Sequence, residues 1–171
     1  MFHRFKLQFD EPLSNFAFNF SSCRYNEGAI KFARKFQVMR AAAAVTADAA
    51  QISHATDTVS FSNSFHGRTL GALNLTWKQA YKTPFAPLAP GHSFAVYGDL
   101  ESARAAIGPP GKTAAVFIEP VQGEGGIFPA DQAFLQGLRQ ICDDTGALLV
   151  FDEVRPTRYC PPRHQRIRNP L

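Results

Sequence analysis

Cysteine is scarce in this chain, and so is any long apolar run. Three cysteines, Cys23, Cys142 and Cys160, lie far apart with no metal-ligand spacing. That excludes a zinc framework, and an odd, scattered count argues against a disulfide scaffold, so a reducing compartment is the default. No apolar stretch reaches the ~18 residues that a membrane-spanning helix needs. The amino terminus, Met1 to Lys6, is basic and aromatic but lacks the apolar core and small-residue cleavage site of a secretory signal. Asp10 and Glu11 follow closely and weaken a transit-peptide reading. Acid is missing altogether from residues 155–171, which hold five arginines. Without those five charges the net charge of +4 falls to −1, so the basic pI of 9.1 is a property of the tail. The chain therefore lacks the distributed basic face of a nucleic-acid binder.

What remains is globular in composition: 171 residues, 45% hydrophobic and 19% charged, enough for one domain with a sizeable core. Residues 1–25 show no clear period. Asn26 is a helix-cap residue, and Ala29, Phe32, Ala33 and Phe36 follow at helical spacing. Strands are expected near 58–61, 94–97, 114–118 and 148–152. Asp99 caps a short helix through Ile107, closed by Gly108 and the Pro109–Pro110 pair. Asp131 caps another, with Phe134, Leu135, Leu138, Ile141 and Cys142 on its apolar face, closed by Gly146. Capped helices between continuous apolar strands indicate an α/β fold with a parallel sheet. After Val154 prolines and arginines dissolve the pattern, and weak order is expected in residues 1–20 and 156–171.

Two strands end in acid. Ile118-Glu119-Pro120-Val121-Gln122-Gly123-Glu124 is one, and Val150-Phe151-Asp152-Glu153-Val154 is the other. In an open parallel sheet ligands sit beyond the carboxyl ends of the strands, so these tips mark an active-site rim. Together with Ser62-Asn63-Ser64-Phe65-His66-Gly67-Arg68-Thr69 and the helix from Asn26 to Phe36, they make the chain resemble class III (subgroup II) aminotransferases that use pyridoxal 5'-phosphate. Within that family Gly146 to Val154 favours the branch acting on N-acetylornithine. The resemblance covers about Asn26 to Val154. It implies the large domain of the fold-type I transferases, in part: residues 1–25 as an aberrant or unmatched segment, 26–154 as a partial cofactor-binding domain and 155–171 as a basic, disordered tail.

The resemblance also implies roles. Asp152 would accept a hydrogen bond from the cofactor's ring nitrogen, Phe65 would stack on one face of that ring and Val154 would pack on the other. His66 would shape the turn beside it. The family wraps the phosphate with Ser-Gly-Thr-Glu-Ala-Asn, where this chain reads Ser21-Ser22-Cys23-Arg24-Tyr25-Asn26, so Ser22 and Cys23 take the glycine and threonine places. Glu124, and with it Glu119, would face the substrate. The substrates implied are a small-molecule amino donor and a 2-oxo acid: N-acetylornithine and 2-oxoglutarate in arginine biosynthesis, with ornithine or 4-aminobutyrate as alternative donors. Family members are homodimers, and eukaryotic ones are typically organellar.

Two departures matter. Arg155-Pro156 replaces the family's Gln after Val154, and the chain ends before the lysine to which the family attaches its cofactor. Lys78, Lys82 and Lys112 match other family segments. The expectation is therefore a fragment, of a mis-spliced or truncated gene model, that is inactive by itself. The other readings are a non-catalytic fragment pairing with an intact subunit and a binding module built on the basic tail.

Overall fold

The computed structural model describes residues 4–7, 22–44 and 55–153. Strand β1 (Arg4–Leu7) and helix α1 (Ser22–Ala44) come first. Then follow β2 (Asp57–Phe61), the short helices α2 (Leu70–Leu75) and α3 (Gln79–Lys82), β3 (His92–Ala95) and α4 (Leu100–Ile107). The rest is β4 (Thr113–Ile118), a small hairpin of β5 (Val121–Gln122) and β6 (Phe128–Pro129), α5 (Gln132–Thr145) and β7 (Leu148–Glu153).

The main sheet has the order β1-β7-β4-β2-β3. Strands β7, β4, β2 and β3 run parallel, and β1 pairs antiparallel at the edge. Helices cover both faces. On one side Val116, Ile118 and Leu149 pack with Ala103 and Ile107 of α4 and Phe134, Leu138, Ile141 and Cys142 of α5. On the other, Ala115, Phe117, Leu148 and Val150 pack with Tyr25, Ala29 and Ala33 of α1. Burial on both faces is why β4 reads as an unbroken apolar run, Ala114 to Ile118, with every residue of the strand buried. Both expected caps are present: the Asp99 carboxylate accepts from the N–H groups of Glu101 and Ser102, and Asp131 from that of Ala133. Cys142 is a core residue, and burial pushes its thiol pKa up to about 12.

The structure departs from the sequence reading in four places. Helix α1 starts at Ser22, so Asn26 is inside it rather than at its cap. Phe32 is exposed, and the buried stripe runs through Tyr25, Asn26, Ala29, Ala33 and Gln37. The third strand ends at Ala95, because the chain turns at Val96 to Asp99, where Asp99 N–H bonds Val96 O and Gly98 takes φ 87°. Residues 4–7, in a segment without a sequence period, add a strand to the sheet. The rest of residues 1–20, and 156–171, expected to be weakly ordered, lie outside the described residues, as does Val154. No helix among the described residues is long and apolar enough to cross a membrane.

Candidate functional site

The topology itself points to one edge. From β2 the chain goes to β3 on one side, then returns past β2 to β4 on the other. This reversal between β2 and β4 is a switch point, and such crevices at the carboxyl ends of strands are where ligands bind in open α/β sheets. The segment after β2 is Ser62 to Gly67, the segment after β4 is Glu119 to Gly126, and β7 beside β4 carries Asp152 near its end.

Strand alternation sets the aim of Asp152. It follows Leu148 and Val150 at a spacing of two, so it shares their face, the face under α1. There it is 5% exposed and meets Asn26, which is fully buried. The Asn26 side-chain amide donates both to Asp152 Oδ2 (2.8 Å) and to the His66 carbonyl (2.7 Å). His66 Nδ1 lies 2.8 Å from the same Oδ2, and since an ionised carboxylate only accepts, Nδ1 carries the proton. Thr76 fixes the histidine's backbone by accepting its N–H at 3.0 Å. The two side-chain bonds fall on Oδ2, and no described residue donates to Oδ1. Asn26 Oδ1 and His66 Nε2 are buried without a partner among the described residues.

Phe65 stands next to His66, half-buried, and its N–H donates to Glu119 Oε2 at 3.0 Å. Glu119 is 3% exposed. Burial raises its pKa to about 7, against the pull of His66 and of the Phe65 N–H. Phe65 lines a cleft of about 430 Å³ with Trp77, Lys78, Tyr81, Glu124 and Gly125. Its ring meets Tyr81 edge-on at 6.2 Å, and the Arg68 guanidinium lies 3.5 Å from the Tyr81 ring centre. Glu124 is exposed on the rim, 3.5 Å from the Tyr81 hydroxyl. Thus Phe65 and Glu124 share a cleft, whereas Glu119 points into the protein.

Ser22 and Cys23 open α1, whose first turn leaves N–H groups without intrahelical acceptors. The Cys23 sulfur accepts the Arg68 N–H at 3.2 Å, and its carbonyl accepts the Thr69 hydroxyl at 3.4 Å. Gly67 (φ 132°) sits so close that an added Cβ would lie 2.6 Å from the same sulfur. Five lysines, Lys31, Lys35, Lys78, Lys82 and Lys112, do not engage Asp152. Lys82 donates to the Asn74 carbonyl and lies over Phe94, Lys78 lies over Tyr81, Lys112 rests against Gly108, and Lys31 and Lys35 are exposed on α1. Among the described residues no group of acids, histidines or cysteines is placed to hold a metal.

Asn26 and Thr76, which hold Asp152 and His66 in the candidate site, are residues that sequence reasoning missed. The signal for Asn26 was available: it precedes Ala29 and Ala33 by three and seven residues, and a polar side chain on the buried stripe of a helix needs a partner. Thr76 carried no comparable pattern.

Residues 8–156 match the family model of the class III aminotransferases. Over 138 residues the chain is 53% identical to the mitochondrial acetylornithine aminotransferase of Alnus glutinosa, covering 81% of this chain and 29% of that protein. Among solved structures it resembles the ornithine aminotransferase of Toxoplasma gondii, with a TM-score of 0.62 and 27% identity over 75% of this chain and 28% of that one. It also resembles the lysine aminotransferase of M. tuberculosis, with a TM-score of 0.64 and 25% identity over 75% and 33% of the two chains. The chain thus spans about a third or less of the length of these relatives. Its strands, its carboxyl-edge site and these matches agree: the chain belongs to the class III aminotransferases, a family that depends on pyridoxal 5'-phosphate.

Proposed function

We propose that this chain forms the ring-holding part of an aminotransferase that moves an amino group between N-acetylornithine and 2-oxoglutarate. One observation carries the reading: a buried carboxylate at a strand end, Asp152, with Oδ2 committed to His66 and Asn26 and Oδ1 left without a described donor. Such an oxygen fits a protonated ring nitrogen, so the residues present suit the cofactor at this end. The choice of donor rests on the 53% identity to the Alnus enzyme; ornithine and 4-aminobutyrate are the alternatives.

In this reading Asp152 holds the ring nitrogen's proton, and His66 and Asn26 orient the carboxylate. Phe65 stacks on one ring face and Val154 on the other. Ser22 and Cys23 offer backbone N–H groups to the phosphate, since the Cys23 sulfur is occupied by Arg68. Glu124, exposed on the rim beside Phe65, meets the substrate. When bound, the cofactor supplies an electron-withdrawing ring that takes up the electron pair released as the substrate's Cα–H bond breaks. Residues 26–154 make up this cofactor-binding part. The working enzyme is a homodimer in an organelle, a location supported by the mitochondrial name of the Alnus relative. The 171-residue chain by itself does not turn over: Lys78, Lys82 and Lys112, the lysines that match other family segments, lie against Tyr81, Asn74 and Gly108 rather than Asp152.

Two measurements test this. Pyridoxamine 5'-phosphate, which cannot condense with lysines, is titrated into the chain and into Asp152→Asn. Loss of a charge-assisted hydrogen bond of about 1.5–3 kcal/mol weakens binding by roughly 10- to 150-fold. Equal affinity for both would refute the role of Asp152. The second is an assay with N-acetylornithine, 2-oxoglutarate and added cofactor, on protein from a host without its own transaminase for this substrate. Steady turnover that disappears in Lys78→Ala, Lys82→Ala or Lys112→Ala would overturn the proposed inactivity.

A further inference from the structure

We propose that Glu119 is a positioning residue, a protonation-dependent clasp that holds the turn carrying Phe65 to the loop carrying Glu124. The proposal rests on the reading of Phe65 and Glu124 given above, and it concerns the regulation of that same site. Glu119 follows directly on β4, whose last residue is Ile118, and its side chain turns inward. Its carboxylate accepts the N–H of Phe65, from the turn after β2, at 3.0 Å, and Glu119 is itself the first residue of the loop that carries Glu124. One side chain therefore bridges the aromatic proposed to stack on the ring and the loop proposed to meet substrate.

The surroundings are framed for this. Tyr97 donates its hydroxyl to the Glu119 carbonyl at 2.8 Å. Gln122, 1% exposed, donates to the Ser62 carbonyl at 2.8 Å, and Ser62 accepts the Tyr97 N–H at 3.1 Å. A Cβ on Gly125 would lie 2.8 Å from the Asn63 carbonyl, so the two loops already touch there. These bonds fix the two ends of the turn and the loop. The N–H of Phe65 itself is held by Glu119.

An ionised carboxylate accepts through both oxygens and bonds to N–H groups about twice as strongly as a neutral one. A protonated carboxyl gives up one of those acceptors to an O–H for which the Phe65 N–H is no partner. Protonation thus weakens the hold on the turn that carries Phe65. The titratable groups facing Glu119 are His66, which favours its ionisation, Asp152, which opposes it, and the Tyr97 phenol, whose own ionisation burial and then Glu119 suppress. With its pKa raised by burial to about 7, Glu119 changes state within the ordinary working range of an enzyme rather than far below it.

The test is an amide ¹H–¹⁵N titration of the 171-residue chain without cofactor, from about pH 5 to about pH 9, the window in which such a carboxyl is read against its ordinary value. The amide proton of Phe65 should move downfield as pH rises, with a midpoint matching that of the Glu119 carboxyl ¹³C resonance. In Glu119→Gln, whose carbonyl oxygen still accepts one N–H, that transition should vanish. A flat Phe65 amide across the range in the unsubstituted chain, or titration that persists in Glu119→Gln, would overturn the proposal. The carboxyl resonance of the unsubstituted chain keeps the result decisive if Glu119→Gln does not fold. Because no cofactor is present, a failed clasp leaves the Asp152 titration with pyridoxamine 5'-phosphate standing, and a failed Asp152 titration leaves the clasp measurable.

Discussion

Replacing Asn26 with alanine tests the central geometry of the site without touching the carboxylate itself. The side-chain amide makes two buried bonds, one to Asp152 Oδ2 and one to the His66 carbonyl. A bond to an ionised group contributes about 1.5–3 kcal/mol and a bond between neutral groups about 0.5–1.5, so the pair contributes roughly 2–4.5 kcal/mol. Alanine is the better helix former by about 0.5–0.7 kcal/mol, which offsets a small part because position 26 is inside α1. The net expectation is a loss of roughly 1.5–4 kcal/mol, or a melting temperature lower by about 5–12 °C for a domain of this size. Urea unfolding followed by far-ultraviolet circular dichroism reads it. Asn26→Asp is the sharper companion, because it keeps the volume, cannot donate when ionised and sets a second carboxylate against Asp152. It should be more destabilising than alanine at neutral pH and recover as pH falls through the carboxylate range. A loss below about 0.5 kcal/mol for Asn26→Ala, well under the strength of one such bond, would refute the argument that Asn26 holds Asp152 and His66 together.

Two further outcomes follow from the fold. His92 is held neutral between the hydroxyls of Thr58 and Ser60, and burial lowers its pKa to about 3 from 6.5. The unfolded chain therefore binds more protons between those values, and His92 makes stability rise with pH through that window and level off above it. Glu119 acts with the opposite sign between 4.5 and about 7, so the comparison is the pH slope of the native chain minus that of His92→Gln; an unchanged slope would contradict the assignment. Gly67→Ala places a Cβ against the Cys23 sulfur at a backbone φ of 132°, which should cost about 1–3 kcal/mol in urea unfolding, and a neutral result would show that the turn at the start of α1 yields.

The elements legible in the sequence are those that carry their own signals. Helices α4 and α5 each begin at an aspartate cap and end at a glycine, and β4 and β7 are short apolar runs between turn residues. Local chemistry sets their limits, so they appear in the structure within about a residue of expectation, and the parallel α/β sheet follows from their alternation. Asp152, Glu119 and Phe65 were legible as strand-end and turn residues for a similar reason. Other features depend on partners far away in the chain. Asn26 looks like a cap until α1 is seen to start at Ser22, and only the sheet brings Asp152, 126 residues later, under its amide. Phe32 has the helical spacing of a core residue, yet the rotation of α1 against Phe117 and Val150 turns it out and the alanines in, since close packing favours the small residues where helix meets sheet. The inward turn of Glu119 is likewise decided by the N–H of Phe65, an acceptor's need that no periodicity encodes. Sequence by itself determined the strands, the capped helices and which edge carries the acids. The tertiary structure alone decided which of those acids are buried and what each one holds, because burial and hydrogen-bond partners are properties of residues brought together across the sheet, not of neighbours along the chain.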